Sequence, residues 1–251
     1  MSGPIQSIER AAAILRLLSG RSRRLGVVEM AGQLGLPKGT VHGILRTLQS
    51  VGFVEQDHDS GKYQLGAAVL HIGYSYLDAN ELRTRALNWA DSLATQSSES
   101  VRIGMLHERQ VLIVHHVFRP EDSPQALDVG SLVPLHAAAL GKALLAHNRY
   151  LLAELENPPA GSAPSTISDK HELERELDEI QARGWASERG ELTPGMASIA
   201  APIEDRRGVI AGAIGVSGPI ERLCQGSLPR LDLAGYVMET ARAVSRELGA
   251  A

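Results

Sequence analysis

Lys38, Thr40, His42 and Arg46 fall in one short run, Lys38-Gly39-Thr40-Val41-His42-Gly43-Ile44-Leu45-Arg46. Two cations, a hydroxyl and an imidazole at this spacing contain neither a nucleophile–base pair nor a metal-ligand set. They suit donation to phosphate oxygens and to base edges. At 100° per residue, Gly39, Gly43, Arg46 and Ser50 lie opposite the apolar stripe Val41, Ile44, Leu45 and Leu48. His42 and Thr47 sit on the flanks, and Lys38 and Thr40 belong to the first turn. A glycine inside a helix costs about 1 kcal/mol relative to alanine. Two on one polar face fit a helix whose backbone must come close to DNA. The competing reading is a solvated face with two tolerated glycines.

The surrounding elements favour DNA. In Val27–Leu34 the apolar residues Val27, Met30, Ala31 and Leu34 stand at i, i+3, i+4 and i+7, and Thr40–Leu48 repeats that spacing. Gly35-Leu36-Pro37 joins the two, with glycine for a left-handed helix exit and proline for entry into the next helix. Phe53–Gln56 and Lys62–Leu65 alternate around the turn-rich Asp57-His58-Asp59-Ser60-Gly61. A hairpin directly after a recognition helix is a wing, and Lys62 near its tip is expected to reach the DNA backbone or minor groove. With the amphipathic helix Ile5–Leu18, residues 1–66 read as a winged helix-turn-helix domain.

Charge is divided accordingly. The chain of 251 residues carries a formal net charge of −4. Residues 1–66 hold eight Lys/Arg against five Asp/Glu, a balance of +3, which leaves −7 for the remainder. Arg21, Arg23 and Arg24 form a basic cluster suited to clamping a phosphate backbone. Cys224 is the single cysteine, so no intrachain disulfide is possible and a reducing compartment is expected. No apolar stretch reaches membrane-spanning length and no signal-peptide core is present, so the expected location is the cytoplasm, with no membrane partner.

Beyond the wing, Ala67, Leu70, Gly73, Tyr74 and Leu77 form a helical stripe read as a linker over 67–80. Residues 81–251 read as a second domain. Helices are expected at Glu81–Thr95, Ala138–His147, Asp169–Arg183 and Ser227–Leu248. Strands are expected at Ser100–Leu106, Val111–Phe118, Gln125–Val129, Ser198–Ile203 and Val209–Val216, and Pro158–Ser168 reads as a surface loop. Helices packed on one antiparallel sheet make an α+β fold.

Catalytic and metal patterns are missing from the sequence. There is no GxSxG, GxGxxG or GxxxxGK[ST], and Gly215-Val216-Ser217-Gly218 misses the first by one residue. His115 and His116 are adjacent on a strand and point to opposite faces, which keeps them from sharing an ion. The expectation is a regulator with no enzymatic activity, no cofactor and no metal.

Several motifs in order resemble the IclR-type bacterial transcription regulators along nearly the whole chain. They are Ser7–Ala11, Leu36-Pro37-Lys38 through Leu48, Pro134-Leu135-His136, Gly141–Ala146, Gly184-Trp185-Ala186, Gly195–Ile203 and Val216–Pro219. Within that family, Tyr76-Leu77-Asp78, Glu81-Leu82-Arg83, Leu112–Asp122 and Glu221–Cys224 look like its glycerol-operon branch. The resemblance implies a homodimer, often a homotetramer, on double-stranded operator DNA. It also implies a GAF-like C-terminal domain binding a small effector, and repression as the commoner mode.

Carried over by motif, the effector positions are Ala139, Leu140, Glu188, Met196, Ser198, Gly215 and Ser217. Gly215 departs from members that bind small keto-acids, which tend to carry a hydroxyl there, and Ala139 replaces a glycine of some members. Glycerol 3-phosphate, with two hydroxyls and a phosphate, suits the remaining donors and acceptors. The alternative is control of another catabolic operon by a carboxylic or aromatic acid. Arg102, Arg119, Lys142 and Arg189 are the nearby cations, each expected at the surface.

Overall fold

The computed structural model describes residues 3–20, 22, 24–118, 128–154 and 163–250. The chain divides into two compact units, Met1–Ala79 and Asn80–Ala251.

The first unit starts with α1 (Gln6–Leu18), α2 (Val27–Leu34) and α3 (Lys38–Ser50). Gly35 ends α2 at φ +64°, a left-handed conformation that lacks the usual Cβ penalty in glycine, and its N–H returns to the Ala31 carbonyl. Pro37 stands at the start of α3. Ile14, Leu18, Met30, Val41, Leu45 and Leu48 converge on one core with Val54 and Tyr63. The hairpin strands β1 (Val54–Gln56) and β2 (Tyr63–Leu65) are short and antiparallel, and a bridge from Leu25 to Tyr63 extends them on the other side. The turn is held by Asp57, whose carboxylate accepts from the Ser60 N–H at 2.8 Å and from its hydroxyl at 2.7 Å.

α4 (Ala67–Asp78) closes this unit. It has no buried residue, and its apolar Leu70, Ile72 and Tyr74 are 71%, 56% and 63% exposed. The helix forms where its periodicity predicts, and its apolar stripe is left open.

The second unit begins with α5 (Glu81–Ser97), β3 (Ser100–His107), β4 (Gln110–Val117), β5 (Leu132–Pro134), α6 (Ala139–Leu145) and α7 (Arg149–Glu154). It continues with α8 (Lys170–Arg183), β6 (Ala186–Arg189), β7 (Met196–Glu204) and β8 (Ile210–Pro219). It ends with α9 (Ile220–Leu223), β9 (Cys224–Gln225), β10 (Leu228–Pro229) and α10 (Leu231–Glu247). Among the described residues, six strands form one antiparallel sheet in the order β5-β4-β3-β8-β7-β6. One face carries α6 and α8, where Ala186, Ala200 and Ala213 of the strands pack with Leu140, Ala143, Leu144, Leu173, Leu177 and Ile180. Helices α5 and α10 cover the other face. The fold is α+β, as read from the sequence.

Several boundaries differ from expectation. The strands β5 and β6, of three and four residues, are not expected from the sequence because they are too short to show an alternating pattern. The last helix starts at Leu231 because Cys224–Pro229 is occupied by the small hairpin β9–β10. Of the strand expected over Gln125–Val129, residues 125–127 lie outside the described residues. Asp128 and Val129 are not in a strand. Arg21, Arg23, Arg119 and much of the loop expected at Pro158–Ser168 are likewise outside.

Candidate functional site

The outer face of α3 is built by exclusion. Val41, Leu45 and Leu48 are spent on the core, which turns Gly39, His42, Gly43 and Arg46 outward, all exposed, with Lys38 exposed at the start and Thr40 half-buried. A Cβ added at Gly39 or at Gly43 would meet nothing within 4 Å. No packing inside the protein therefore requires either glycine. Thr47 donates to the Gly43 carbonyl at 3.2 Å, so its hydroxyl is partly engaged within the helix.

Lys62 sits at the start of β2, where its ammonium lies 3.2 Å from Glu29 Oε1 of α2. The other Glu29 oxygen accepts the Gly26 N–H at 2.6 Å and so caps α2. Those bonds hold the Glu29 carboxyl below the usual range. Lys62 thus ties the wing to α2. Arg24 does the same from the other side, pairing with Asp57 at 2.9 Å and donating to Gln64 at 2.9 Å.

In the C-terminal unit, four of the seven motif positions come together on the α6 face of the sheet. Glu188 of β6 is in register with Ser198 of β7, and Ser198 with Ser217 of β8. The Ser198 hydroxyl donates to Glu188 Oε1 at 2.7 Å, and Glu188 Oε2 accepts the N–H groups of Glu191 at 3.0 Å and Leu192 at 3.4 Å. Burial pushes the Glu188 carboxyl up, against the pull of these bonds. A cavity of about 130 Å3 reaches Glu188 and Ser198 beside Arg189 and Cys224. A larger cleft of about 470 Å3 lies against α10, near Arg242 and Arg246, and contains none of the motif positions.

Gly215 follows two residues before Ser217 on the same face. A Cβ there would stand 2.5 Å from the Ile199 carbonyl oxygen and 2.8 Å from the Ala200 Cβ. The close approach of β7 thus requires glycine at this position, whatever the ligand. Met196 pairs with Pro219 at the far end of β7 and is half-buried. Ala139 and Leu140 are buried in the core with Val111 and Ile113, so their side chains are not free for a ligand. They can contribute only backbone N–H groups of α6, a helix that has no side-chain cap.

The expected surface cations need correction. Lys142 is completely buried. Its ammonium lies 3.0 Å from both Glu176 oxygens and 2.6 Å from Glu191 Oε1. Every side of α6 is enclosed, and the partners arrive from chain segments far downstream, which local sequence does not reveal. Arg102 is also partly buried, donating to Asp128 at 2.7 Å and to the Ser217 hydroxyl. Sequence reasoning missed Asp128 and Glu191 altogether. His115 and His116 do face opposite sides, paired with Ile103 and Arg102 respectively. Among the described residues no group of three or more metal-ligating side chains is assembled. No described helix is long and apolar enough to cross a membrane.

Comparisons with known proteins agree with this architecture. Residues 7–58 match the IclR helix-turn-helix domain, and residues 74–246 match the family described as bacterial transcriptional regulator IclR, C-terminal. The chain is 54% identical over 251 residues to the glycerol operon regulatory protein of Streptomyces coelicolor, covering 100% of this chain and 99% of that one. Its identity to the Streptomyces griseus protein of the same name is 53%, with the same coverage. Among solved structures, the IclR transcriptional regulator from Alicyclobacillus acidocaldarius superposes with a TM-score of 0.83 at 28% identity, covering 98% of this chain and 100% of that one. The chain belongs to the IclR family of bacterial transcription regulators.

Proposed function

We propose that this protein represses genes of glycerol catabolism. In this reading it binds operator DNA as a homodimer through α3 and the wing, and it responds to glycerol 3-phosphate held in the C-terminal unit. The observation that carries the DNA half is the outer face of α3. Gly39 and Gly43 have no internal packing reason, and they lie beside the exposed Lys38, His42 and Arg46. Backbone approach to base edges explains that pattern, with the two cations bracketing the contact and Thr40 at the helix start facing phosphate. Lys62 serves the same surface by holding the wing against α2.

The glycerol half is supported by the identity with the two Streptomyces proteins over the full chain. It is also supported by Glu188, Ser198 and Ser217, which offer an acceptor and two hydroxyls in one row suited to a polyol. In this reading Ala139 and Leu140 contribute backbone N–H groups from α6, which packs on the same face, and Met196 contributes apolar surface from the start of β7. Gly215 lets β7 and β8 come close, which sets Ser198 beside Ser217. The open apolar stripe of α4 suits burial against a second copy, which would set the spacing of two recognition helices on a pseudo-palindrome.

The test is fluorescence anisotropy of labelled DNA from upstream of the gene, titrated with protein at several salt concentrations, with and without glycerol 3-phosphate. Binding should weaken with salt at a log–log slope of about −0.9 per phosphate neutralised, and glycerol 3-phosphate should shift it. A salt-insensitive signal would remove the DNA reading. A ligand-insensitive one would remove the glycerol 3-phosphate assignment. Linkage requires that an effector which alters DNA affinity bind the free and DNA-bound forms differently.

A further inference from the structure

The cation nearest the serine row is Arg102, and its surroundings are unusual for a structural arginine. His116 of β4, Arg102 of β3, Gly215 of β8 and Ala200 of β7 stand in one register across four strands. Gly215, the β8 neighbour of Arg102, carries no side chain, and β7 packs against it in place of one. The Arg102 guanidinium donates to Asp128 Oδ2 from two nitrogens, at 2.7 and 2.6 Å, and a third reaches the Ser217 hydroxyl. The side chains of Arg102 and Asp128 are 28% and 31% exposed, so solvent reaches the pair.

Beside them, the His116 side chain is only 4% exposed, and among the described residues neither ring nitrogen has a hydrogen-bond partner. Its Nδ1 is 3.8 Å from Asp128 Oδ2, beyond hydrogen-bond reach. Buried polar atoms are normally satisfied, so this imidazole, in register with Arg102, marks a place where a further acceptor fits. Burial, and then the nearby guanidinium, hold the imidazole down to about 4, so at neutral pH it can donate one N–H while remaining uncharged.

We propose that Arg102, His116 and Ser217 form the subsite for the phosphate of a phosphate-monoester effector, with Asp128 occupying the guanidinium in the free protein as an internal competitor. A phosphate oxygen can take the place of the Asp128 oxygen that the guanidinium holds, since carboxylate and phosphate both suit this donor. Binding is an exchange of anions: the Asp128 carboxylate leaves Arg102 for solvent, and the ligand phosphate takes its place while accepting from His116 and Ser217. Ser217 then joins the two halves of the site, because it is in register with Ser198 and bonded to Arg102. The Arg102 guanidinium reaches over β8 to Ser217, so a three-carbon polyol phosphate has to span only the step from there to Ser198 on the neighbouring strand β7, about 4.8 Å away.

This inference rests on the reading of a phosphorylated effector, and its test separates the two. Calorimetric titration of the full chain uses sn-glycerol 3-phosphate, inorganic phosphate and glycerol, with circular dichroism confirming the fold of each variant. Asp128→Asn should bind glycerol 3-phosphate about five- to ten-fold more tightly, since it removes a solvent-exposed competitor. Arg102→Gln should weaken it about a hundred-fold. Arg102→Lys, which keeps the charge and loses the fork, should fall between them.

Opposite signs at the two ends of one ion pair are the signature, because a merely structural pair would lose affinity from either end. Equal or weaker binding by Asp128→Asn overturns the subsite even if the wild type binds glycerol 3-phosphate. If glycerol 3-phosphate does not bind while inorganic phosphate does, more tightly in Asp128→Asn, the subsite stands and the glycerol 3-phosphate reading fails. Failure of both anions to bind the wild type and Asp128→Asn overturns both.

Discussion

Replacing Lys142 by methionine removes the one cation inside α6 and leaves two carboxylates facing each other. The ammonium is fully buried and meets three carboxylate oxygens within 3.0 Å. Glu191 is itself buried, and among the described residues its Oε2 has no hydrogen-bond partner. Deleting one member of a buried pair costs about 3–5 kcal/mol because the other charge is left uncompensated. The cost depends on pH in a defined direction. Burial pushes the Glu191 carboxyl from 4.5 up to about 7, with Lys142 pulling the other way. The folded state therefore binds this proton more tightly than the unfolded chain does. The stability it contributes is fully present below pH 4.5 and is lost as pH rises through about 7. In Lys142→Met the opposing cation is gone, so the loss relative to wild type should be largest at pH 8. At pH 5.5, where Glu191 takes a proton, it should shrink to about 1–2 kcal/mol, the scale of lost hydrogen bonds. Urea unfolding followed by tryptophan fluorescence reads the right unit, since both tryptophans, Trp89 and Trp185, lie in Asn80–Ala251. The double variant Lys142→Met/Glu191→Gln should recover part of the loss at pH 8. A loss under about 1 kcal/mol at pH 8, or an equal loss at both pH values, would refute the argument.

Other perturbations probe the remaining parts. Gly43→Ala should stabilise α3 by up to about 1 kcal/mol, as its Cβ enters open space, yet lower operator affinity several-fold; a higher melting temperature with unchanged anisotropy titrations would clear Gly43 of any contact. Arg46→Ala should weaken operator binding by about 1–3 kcal/mol if Arg46 reads a base, and leave calorimetric effector binding as it was. Gly215→Ser should destabilise the C-terminal unit by about 1–3 kcal/mol, because β7 backbone already fills the Cβ position. An unfolding midpoint like that of wild type would mean that β7 can give way. Leu70→Glu with Tyr74→Glu should shift sedimentation toward monomer, and an unchanged sedimentation coefficient would place the dimer contact elsewhere.

Helices such as α2 and α3 were legible in the sequence because each buries one stripe. Val27–Leu34 matches the apolar spacing to the residue, and Gly35 takes the left-handed conformation that the Gly-Leu-Pro joint predicts. The helix expected over Asp169–Arg183 forms as α8, with Asp169 Oδ1 accepting the Glu172 N–H at 2.8 Å as its cap. The longer strands β3, β4, β7 and β8 overlap the expected ranges. The edge strands β5 and β6 escaped because three or four residues cannot establish an alternation. Apolar periodicity also gives no sign of what covers a stripe. The stripe of α4 looks in sequence like those of α2 and α3, whose apolar residues find a core within the same unit.

The site was legible only where it is local. The outer face of α3 follows from one helical wheel, since every residue in it lies within about two turns of the next. The effector row does not, because its members meet through strand register. Ser217 stands beside Ser198 and Ser100 only once β8 lies between β7 and β3. Side-chain character is equally non-local. Lys142, judged by residue type, belongs on the surface, yet it is buried because Glu176 and Glu191 arrive to neutralise it. Arg102, judged by type, is one of several loose cations, yet register places His116 on one side of it and a glycine on the other. The motif positions and the physical site therefore overlap without coinciding. Glu188, Ser198 and Ser217 belong to both. Ala139 and Leu140 serve the core, and Gly215 is fixed by the approach of β7. A ligand entering this row would then be recognised at the anionic end by residues outside the motifs, which is where members of one family can differ in effector while keeping the same fold.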